Sequence, residues 1–305
     1  MKTFREAIKE WMVSKKRNSI KPSSYDRLES TFILMCKHNI SEVTIDQIDT
    51  EYIQDYIDQL VDEGYAMTTI KKQFNLITEY MDYANSKGII LLPYHRGVKM
   101  PARSVIKKPR KDIIAYNDLE QRRLNEVLYT LERPAYIAAI LMLETGMRIG
   151  EVLALGWDDF DLKRRAIHIG KTFVRLGNSN RAYIQNEPKS FSSIRTVPLS
   201  SRAFRLLSGL KLRDEYGMFI VHDERGEPLT YEACRWQIKM ACKGADVRYY
   251  GQHVFRHTFA TNCYNKGCDV KVLSKFLGHA NVNVTYNIYI HLFGDALEEM
   301  RSILD

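Results

Sequence analysis

The sequence predicts a mainly α-helical protein with one small antiparallel β-sheet, a four-helix N-terminal bundle followed by a mixed α+β domain. Three observations carry this expectation. The first hundred residues hold helical-period apolar stripes and no run of strand period. A short segment with two prolines and five basic residues, Pro101 to Lys111, then breaks the periodicity. Beyond it helical stripes resume, interrupted by strand-like segments on either side of Gly177-Asn178-Ser179-Asn180.

Taken in order, Phe4, Ala7, Ile8 and Trp11 fall on one face of a first helix. Tyr25, Leu28, Phe32 and Met35 stripe a second, for which Ser23 and Ser24 are the expected caps. Ile53, Tyr56, Ile57, Leu60 and Val61 stripe a third, ended by Gly64. Ile70, Phe74, Ile77, Met81 and Ala84 stripe a fourth, started near Thr68 and Thr69 and ended by Gly88. Residues 1–100 are thus expected to form one helical domain, and 101–111 an extended linker.

The second domain is expected over 112–292. One helix runs through Leu119, Leu124, Val127 and Leu131, and another from Pro134 to near Gly146. Ala166–Phe173 and Ala182–Ile184 are expected to pair as a hairpin, with Ser193–Pro198 as a third strand. Helices follow over about 201–210, 230–243, 253–266 and 270–277. A tail helix over 293–305 closes the chain. Its stripe of Phe293, Leu297, Met300 and Leu304 must dock, either on its own domain or on a neighbouring copy.

The 305 residues are 45% apolar and 27% charged, as in globular proteins. No apolar run approaches the ~20 residues that span a bilayer. The start, Met1-Lys2-Thr3-Phe4-Arg5-Glu6, is charged where a secretory signal would be apolar. The five cysteines are scattered and form no paired motif, which argues against a disulfide framework. The expected setting is the cytoplasm, with no membrane association. The net charge of +8 suggests a polyanionic partner. It is unevenly spread: residues 1–40 carry nine Lys/Arg against four Asp/Glu, and 41–100 carry five against ten. The linker holds Arg103, Lys107, Lys108, Arg110 and Lys111 with no acid, and is expected to lie along a phosphate backbone.

Five short motifs carry the chemistry. They are Thr145-Gly146-Met147-Arg148-Ile149-Gly150-Glu151, Pro188-Lys189-Ser190, His253-Val254-Phe255-Arg256, Leu277-Gly278-His279 and Thr285-Tyr286-Asn287-Ile288-Tyr289-Ile290-His291. Alone, each has an ordinary structural reading, such as a surface Arg148 paired with Glu151 or core tyrosines. In this order they resemble the tyrosine recombinase (phage integrase) family of site-specific recombinases. The resemblance covers most of the chain. It implies a SAM-like core-type DNA-binding domain over 1–100 and a tyrosine-recombinase catalytic domain over 112–292. It also implies a catalytic set of Arg148, Lys189, His253, Arg256, His279 and Tyr289, with Glu151 supporting the first arginine. Tyr289 rather than Tyr286 matches the family's T-x-x-x-Y-x-H ending, through Thr285 and His291.

The implied reaction is integration or excision by strand cleavage and rejoining, through a 3′-phosphotyrosyl intermediate and a Holliday junction. No cofactor, metal or ATP is implied. The expected partners are double-stranded DNA recombination sites, further copies of the chain as a homotetramer assembled on DNA from monomers, and an accessory directionality factor at the bacterial nucleoid. Many family members carry an arm-binding module ahead of the helical domain. Phe4 already belongs to the first helix here, which implies a simpler integrase or a chromosome-dimer resolvase.

The residue types suit this chemistry. A phosphodiester under attack gains negative charge, which two guanidinium forks hold better than ammonium groups. Histidines add donors or move protons near neutral pH. Nearby positive charge favours the phenolate of a tyrosine whose ordinary pKa is about 10. His253 and His257 have the spacing of a zinc pair, but no glutamate base accompanies them and Arg256 lies between. Rivals from other classes are a type IB topoisomerase, with nearly the same active site, and a non-catalytic DNA-binding protein. A nicking assay separates them.

Overall fold

The computed structural model describes residues 2–17, 20–102, 114–130, 133–177, 181–186, 194–213 and 217–289. The chain divides into two compact units, Met1–Lys111 with Leu176–Arg181 and Asp112–Arg175 with Ala182–Asp305. The basic linker residues Arg103, Lys107, Lys108, Arg110 and Lys111, together with Lys189 and the tail helix over 293–305, lie outside the described residues.

The first unit is built on α1 (Phe4–Arg17), α2 (Pro22–Met35), α3 (Thr50–Asp62) and α4 (Met67–Ser86). Phe4, Ile8, Ile53, Ile57, Ile70, Ile77 and Met81 are fully buried in one core, as their 3.6-residue spacing requires. On α4 the buried face is rotated from the expected stripe. Tyr80 is buried where Phe74 only packs at the margin. Neither Ser23 nor Ser24 caps α2. The helix begins two residues before the start that a Ser23 cap would give, with Lys21 at the cap and Pro22 in the first turn, where its missing N–H is no loss. The buried amide of Gln73 bonds at both ends: Tyr56 Oη donates to Gln73 Oε1 (3.0 Å), and Gln73 Nε2 donates to the Thr31 carbonyl (3.0 Å). That bridge ties α2, α3 and α4 together.

The second unit starts at α5 (Asp118–Leu128), whose cap Asn117 exchanges hydrogen bonds with Glu120. Next comes α6 (Pro134–Thr145), apolar all round and buried from Ala135 to Met142. A helix with no polar face belongs at the centre, and α6 packs between α5 and the later helices Tyr231–Gly244 and His253–Asn265. After α7 (Ile149–Leu153) come β1 (Phe160–Asp161), β2 (Ala166–Ile169), β3 (Thr172–Leu176), β4 (Arg181–Gln185) and β5 (Arg195–Pro198). The remaining helices are α8 (Ser201–Arg213), α9 (Tyr231–Gly244), α10 (His253–Asn265), α11 (Val270–Leu277) and α12 (Val282–Tyr289).

The strand expectation needs correction. Residues 166–173 are not one strand of a hairpin. The chain breaks at Gly170, so β2 pairs antiparallel with β1 and β5 in a three-stranded sheet, with Ile167 opposite Val197. The hairpin is β3 with β4, a separate two-stranded ribbon. Glycine inside a strand-like run marks such a break because it packs no side chain and adapts its backbone.

Candidate active site

The site grows from the end of α6. Gly146 takes the left-handed conformation (φ 66°) that stops the helix, and its N–H returns to the Met142 carbonyl. A Cβ there would lie 2.4 Å from Phe259 Cδ1, so no side chain fits without a shift. The turn delivers Arg148 to the start of α7. Glu151, one turn on, accepts the Arg148 backbone N–H on Oε2 (2.8 Å) and its Nη1 on Oε1 (2.9 Å). The ordinary expectation of an Arg148–Glu151 pair is therefore met, but not at the surface. Glu151 is buried, and its carboxylate faces a second guanidinium.

That second group is Arg195 on β5, to which the sequence motifs assign no role. Its Nη1 donates to Glu151 Oε1 (3.0 Å) and its Nη2 to Oε2 (2.8 Å). The signal that points to it is strand alternation: Arg195 and Val197 face inward while Thr196 and Pro198 face out. An arginine on the inward face of a strand needs a partner, and Glu151 supplies it.

The C-terminus of α11 gathers the rest. Helix ends leave carbonyl oxygens without an intrahelical donor and carry a partial negative charge. Here three successive carbonyls each accept from a different arginine: Phe276 from Arg195 Nε (2.6 Å), Leu277 from Arg256 Nη2 (2.8 Å) and Gly278 from Arg148 Nη2 (3.2 Å). Gly278 is left-handed (φ 66°), and His279 N–H closes back on the Ser274 carbonyl, which turns the chain away and presents these oxygens.

Arg256 on α10 is buried and reaches across both helix ends. Its Nη1 donates to the Gly146 carbonyl (2.8 Å), and its Nη2 lies 2.8 Å from His279 Nε2. A guanidinium has only donors, so His279 Nε2 must be the acceptor. The proton of the neutral ring is then on Nδ1, and it is given to Thr285 Oγ1 at 2.7 Å. Burial, then the charges of Arg256, Arg148 and Arg195, push His279 down to about 4. Burial and the neighbouring His253 and Arg256 push His257 down to about 4 as well. His253 is exposed, yet partial burial, then Arg256 and Arg148, lower its pKa too. For Glu151, burial alone would raise the pKa; the hydrogen bonds and charges of Arg195 and Arg148 win, and it is held below the usual carboxylate range. Near neutral pH Arg148 and Arg195 share the one carboxylate of Glu151, Arg256 rests on carbonyls and His279, and the four charged side chains together sum to +2 beside neutral histidines. Such a cluster suits an anion.

Of the expected residues, the fold brings together Arg148, Glu151, His253, Arg256 and His279. Tyr289 is the last residue of α12, the helix that follows His279. Tyr286, on the same helix, is exposed. Lys189 lies outside the described residues, in the chain between β4 and β5. Among the described residues, no group of three or more His, Cys, Asp or Glu is placed to hold a metal ion.

The sequence pattern of the phage integrase family matches residues 116–295, more than half of the chain and all of this cluster. The chain belongs to the phage integrase family. Its first unit matches the phage integrase SAM-like domain over residues 3–99. Membership makes the chain a DNA breaking-and-rejoining enzyme. Among relatives, it is 26% identical to a XerC-like tyrosine recombinase of Caldanaerobacter subterraneus subsp. tengcongensis, over 95% of this chain and 79% of that one. The fold is shared with the Tn1549 transposon integrase in complex with transposon right end DNA, at a TM-score of 0.82 and 19% identity, covering 100% of both chains. It is also shared with a lambda integrase tetramer bound to a Holliday junction, at a TM-score of 0.66 and 16% identity, covering 94% of this chain and 77% of that one.

Proposed function

We propose that this phage integrase family member carries out site-specific integration or excision, with Tyr289 as the nucleophile and the arginine cluster as its phosphate site. The observation that carries this reading is the set of guanidinium groups on the α11 carbonyls, with α12 running from beside that set to Tyr289. Arg148 and Arg256 bind the non-bridging oxygens of the scissile phosphate and stabilise the charge that builds there during attack. Glu151 holds Arg148 without cancelling the cluster's charge, because Arg195 also claims the carboxylate.

Each proton and bond has a place. The Tyr289 oxygen attacks phosphorus and loses its proton, a step that the positive cluster favours. The bond to the 5′ oxygen breaks, and Lys189 supplies the proton that the leaving hydroxyl requires. His253 and His279 start neutral. The arriving phosphate charge raises the pKa of His253, so it takes up the Tyr289 proton only when DNA is bound, while His279 stays neutral and holds Arg256. The phosphotyrosine keeps the energy of the broken bond, and attack by a 5′ hydroxyl of a partner strand returns it to DNA. The reaction therefore runs without a metal ion or ATP. The substrate is a pair of double-stranded recombination sites, held by a homotetramer like that of lambda integrase on its Holliday junction, with the basic linker residues Arg103, Lys107, Lys108, Arg110 and Lys111 along the phosphates. A directionality factor biases the exchange, at the nucleoid in the cytoplasm.

The decisive experiment is a nicked suicide substrate incubated with the full chain. The wild type should trap a 3′-phosphotyrosyl adduct that maps to Tyr289. Tyr289→Phe should bind the same DNA without forming it. An adduct on Tyr286, or none at all, would overturn the assignment.

A further inference from the structure

We propose that Thr285 is a positioning residue that fixes the protonation pattern of His279 and, through it, couples the arginine cluster to the helix ending at Tyr289; this rests on the functional reading above. The geometry has three parts. Thr285 is fully buried. Its Oγ1 lies 2.7 Å from His279 Nδ1, while Arg256 Nη2 stands 2.8 Å from the other ring nitrogen. And Thr285 sits on α12 one turn before position 289.

The logic is a chain of donors and acceptors. Arg256 only donates, so His279 Nε2 must keep its lone pair and Nδ1 must carry the proton. A buried N–H needs an acceptor, and Thr285 Oγ1 is the one in place. Without it the imidazole has no reason to keep this tautomer or this plane. Arg256 then loses a contact that aims its guanidinium. The same hydrogen bond closes a loop. Gly278 turns the chain out of α11, Asn281 accepts the Asn283 N–H at the start of α12, and Thr285 ties the first turns of that helix back to His279. The bond thus fixes where α12 starts relative to the phosphate site, and so where its last residue falls. His257, Arg148 and Arg195 also bear on the His279 ring, and all three disfavour a charged ring, which would break the contact with Arg256.

The test uses the full chain and two substitutions. Thr285→Val keeps the shape and removes the acceptor. Thr285→Ser keeps the acceptor. Nitrogen-15 NMR of the DNA-free protein should find the His279 proton on Nδ1 in the wild type. Its slowly exchanging signal should be lost in Thr285→Val and kept in Thr285→Ser. Single-turnover cleavage of the nicked substrate should fall at least about tenfold in Thr285→Val, at unchanged DNA affinity, and return to within about threefold in Thr285→Ser. Wild-type cleavage by Thr285→Val, or a wild-type His279 protonated on Nε2, overturns the proposal. So does a parallel loss of affinity and cleavage in Thr285→Ser, which needs only the wild-type fold. If the wild type itself does not cleave, the recombinase reading fails, while the position of the His279 proton still decides whether Thr285 holds it.

Discussion

Arg195 grips both oxygens of Glu151, at 3.0 and 2.8 Å, and Arg148 shares one of those oxygens at 2.9 Å. The side chains of Arg195 and Glu151 are 5% and 7% exposed, so this pair lies beyond the reach of solvent screening. Removing one partner of a buried pair strands the other charge, at a cost of about 3–5 kcal/mol. Glu151→Gln should therefore destabilise the catalytic unit by about that amount in urea melts. The double change Glu151→Met with Arg195→Met should cost clearly less than the sum of the two singles. Additive losses would show that the pair does not act as one unit.

Stability should also depend on acidity in two windows. His257 and His279 titrate lower in the folded chain, near about 4, than the roughly 6.5 of an unfolded histidine. The unfolded state then binds more protons between those values, so stability falls as pH drops from about 6.5 to about 4. Glu151 is also depressed when folded. Its contribution is intact above the ordinary carboxylate value of about 4.3 and is lost as pH falls further. Urea midpoints measured from pH 8 to pH 4 should decline through the histidine window, and His257→Gln should flatten that decline. A flat wild-type profile across it would contradict the depressed values.

The arginine clamp predicts a loss of rate without a loss of fold. Arg148→Ala should lower single-turnover cleavage by about 10²-fold or more, as removal of a transition-state donor does. Arg148→Lys should recover little, because an ammonium cannot reproduce a fork that reaches Glu151 and the Gly278 carbonyl at once. Arg256→Lys should fail for the same reason, with contacts to Gly146, Leu277 and His279 to satisfy. Excess EDTA should leave cleavage unchanged. Full activity in any of these variants, or inhibition by chelator, would remove the basis of the mechanism.

Salt dependence tests the linker. Each phosphate neutralised by a cation contributes about 0.9 to the slope of log affinity against log salt. Changing Lys107, Lys108, Arg110 and Lys111 together to Ala should weaken binding to all sequences and flatten that slope. An unchanged slope would place these residues off the DNA.

The parts of this protein that local rules decide were legible from its sequence. Pro134 and Gly146 bracket α6 because one suits a first turn and the other suits a left-handed stop. The stripe through Leu119, Leu124 and Val127 likewise places α5, though its cap, Asn117 with Glu120, shows only in the structure. The motif arginines and histidines were legible as an ordered set. What escaped depends on contacts between distant segments. Arg195 is one of 45 basic residues, and its carboxylate partner lies 44 positions earlier. The α11 carbonyls that hold three guanidinium groups are backbone atoms, which no residue type advertises. Gly170 split a run that looked continuous because pairing across the sheet, not local propensity, ends β2 there.

Gly146 has a consequence for heredity. Any single-base change in a glycine codon that alters the residue adds a side chain or stops translation. A Cβ at this position would lie 2.4 Å from Phe259 Cδ1 and 2.9 Å from Leu277 Cδ2, on a backbone turned to φ +66°. The strain falls on the residue whose carbonyl accepts from Arg256, and on Phe259 and Leu277 beside it. It leaves the SAM-like unit, which folds around its own core, untouched. Decayed copies of this gene that lose Gly146 should therefore encode proteins that still occupy recombination sites but cannot cut. Within the homotetramer proposed above, such a protein beside intact copies would act as a dominant poison.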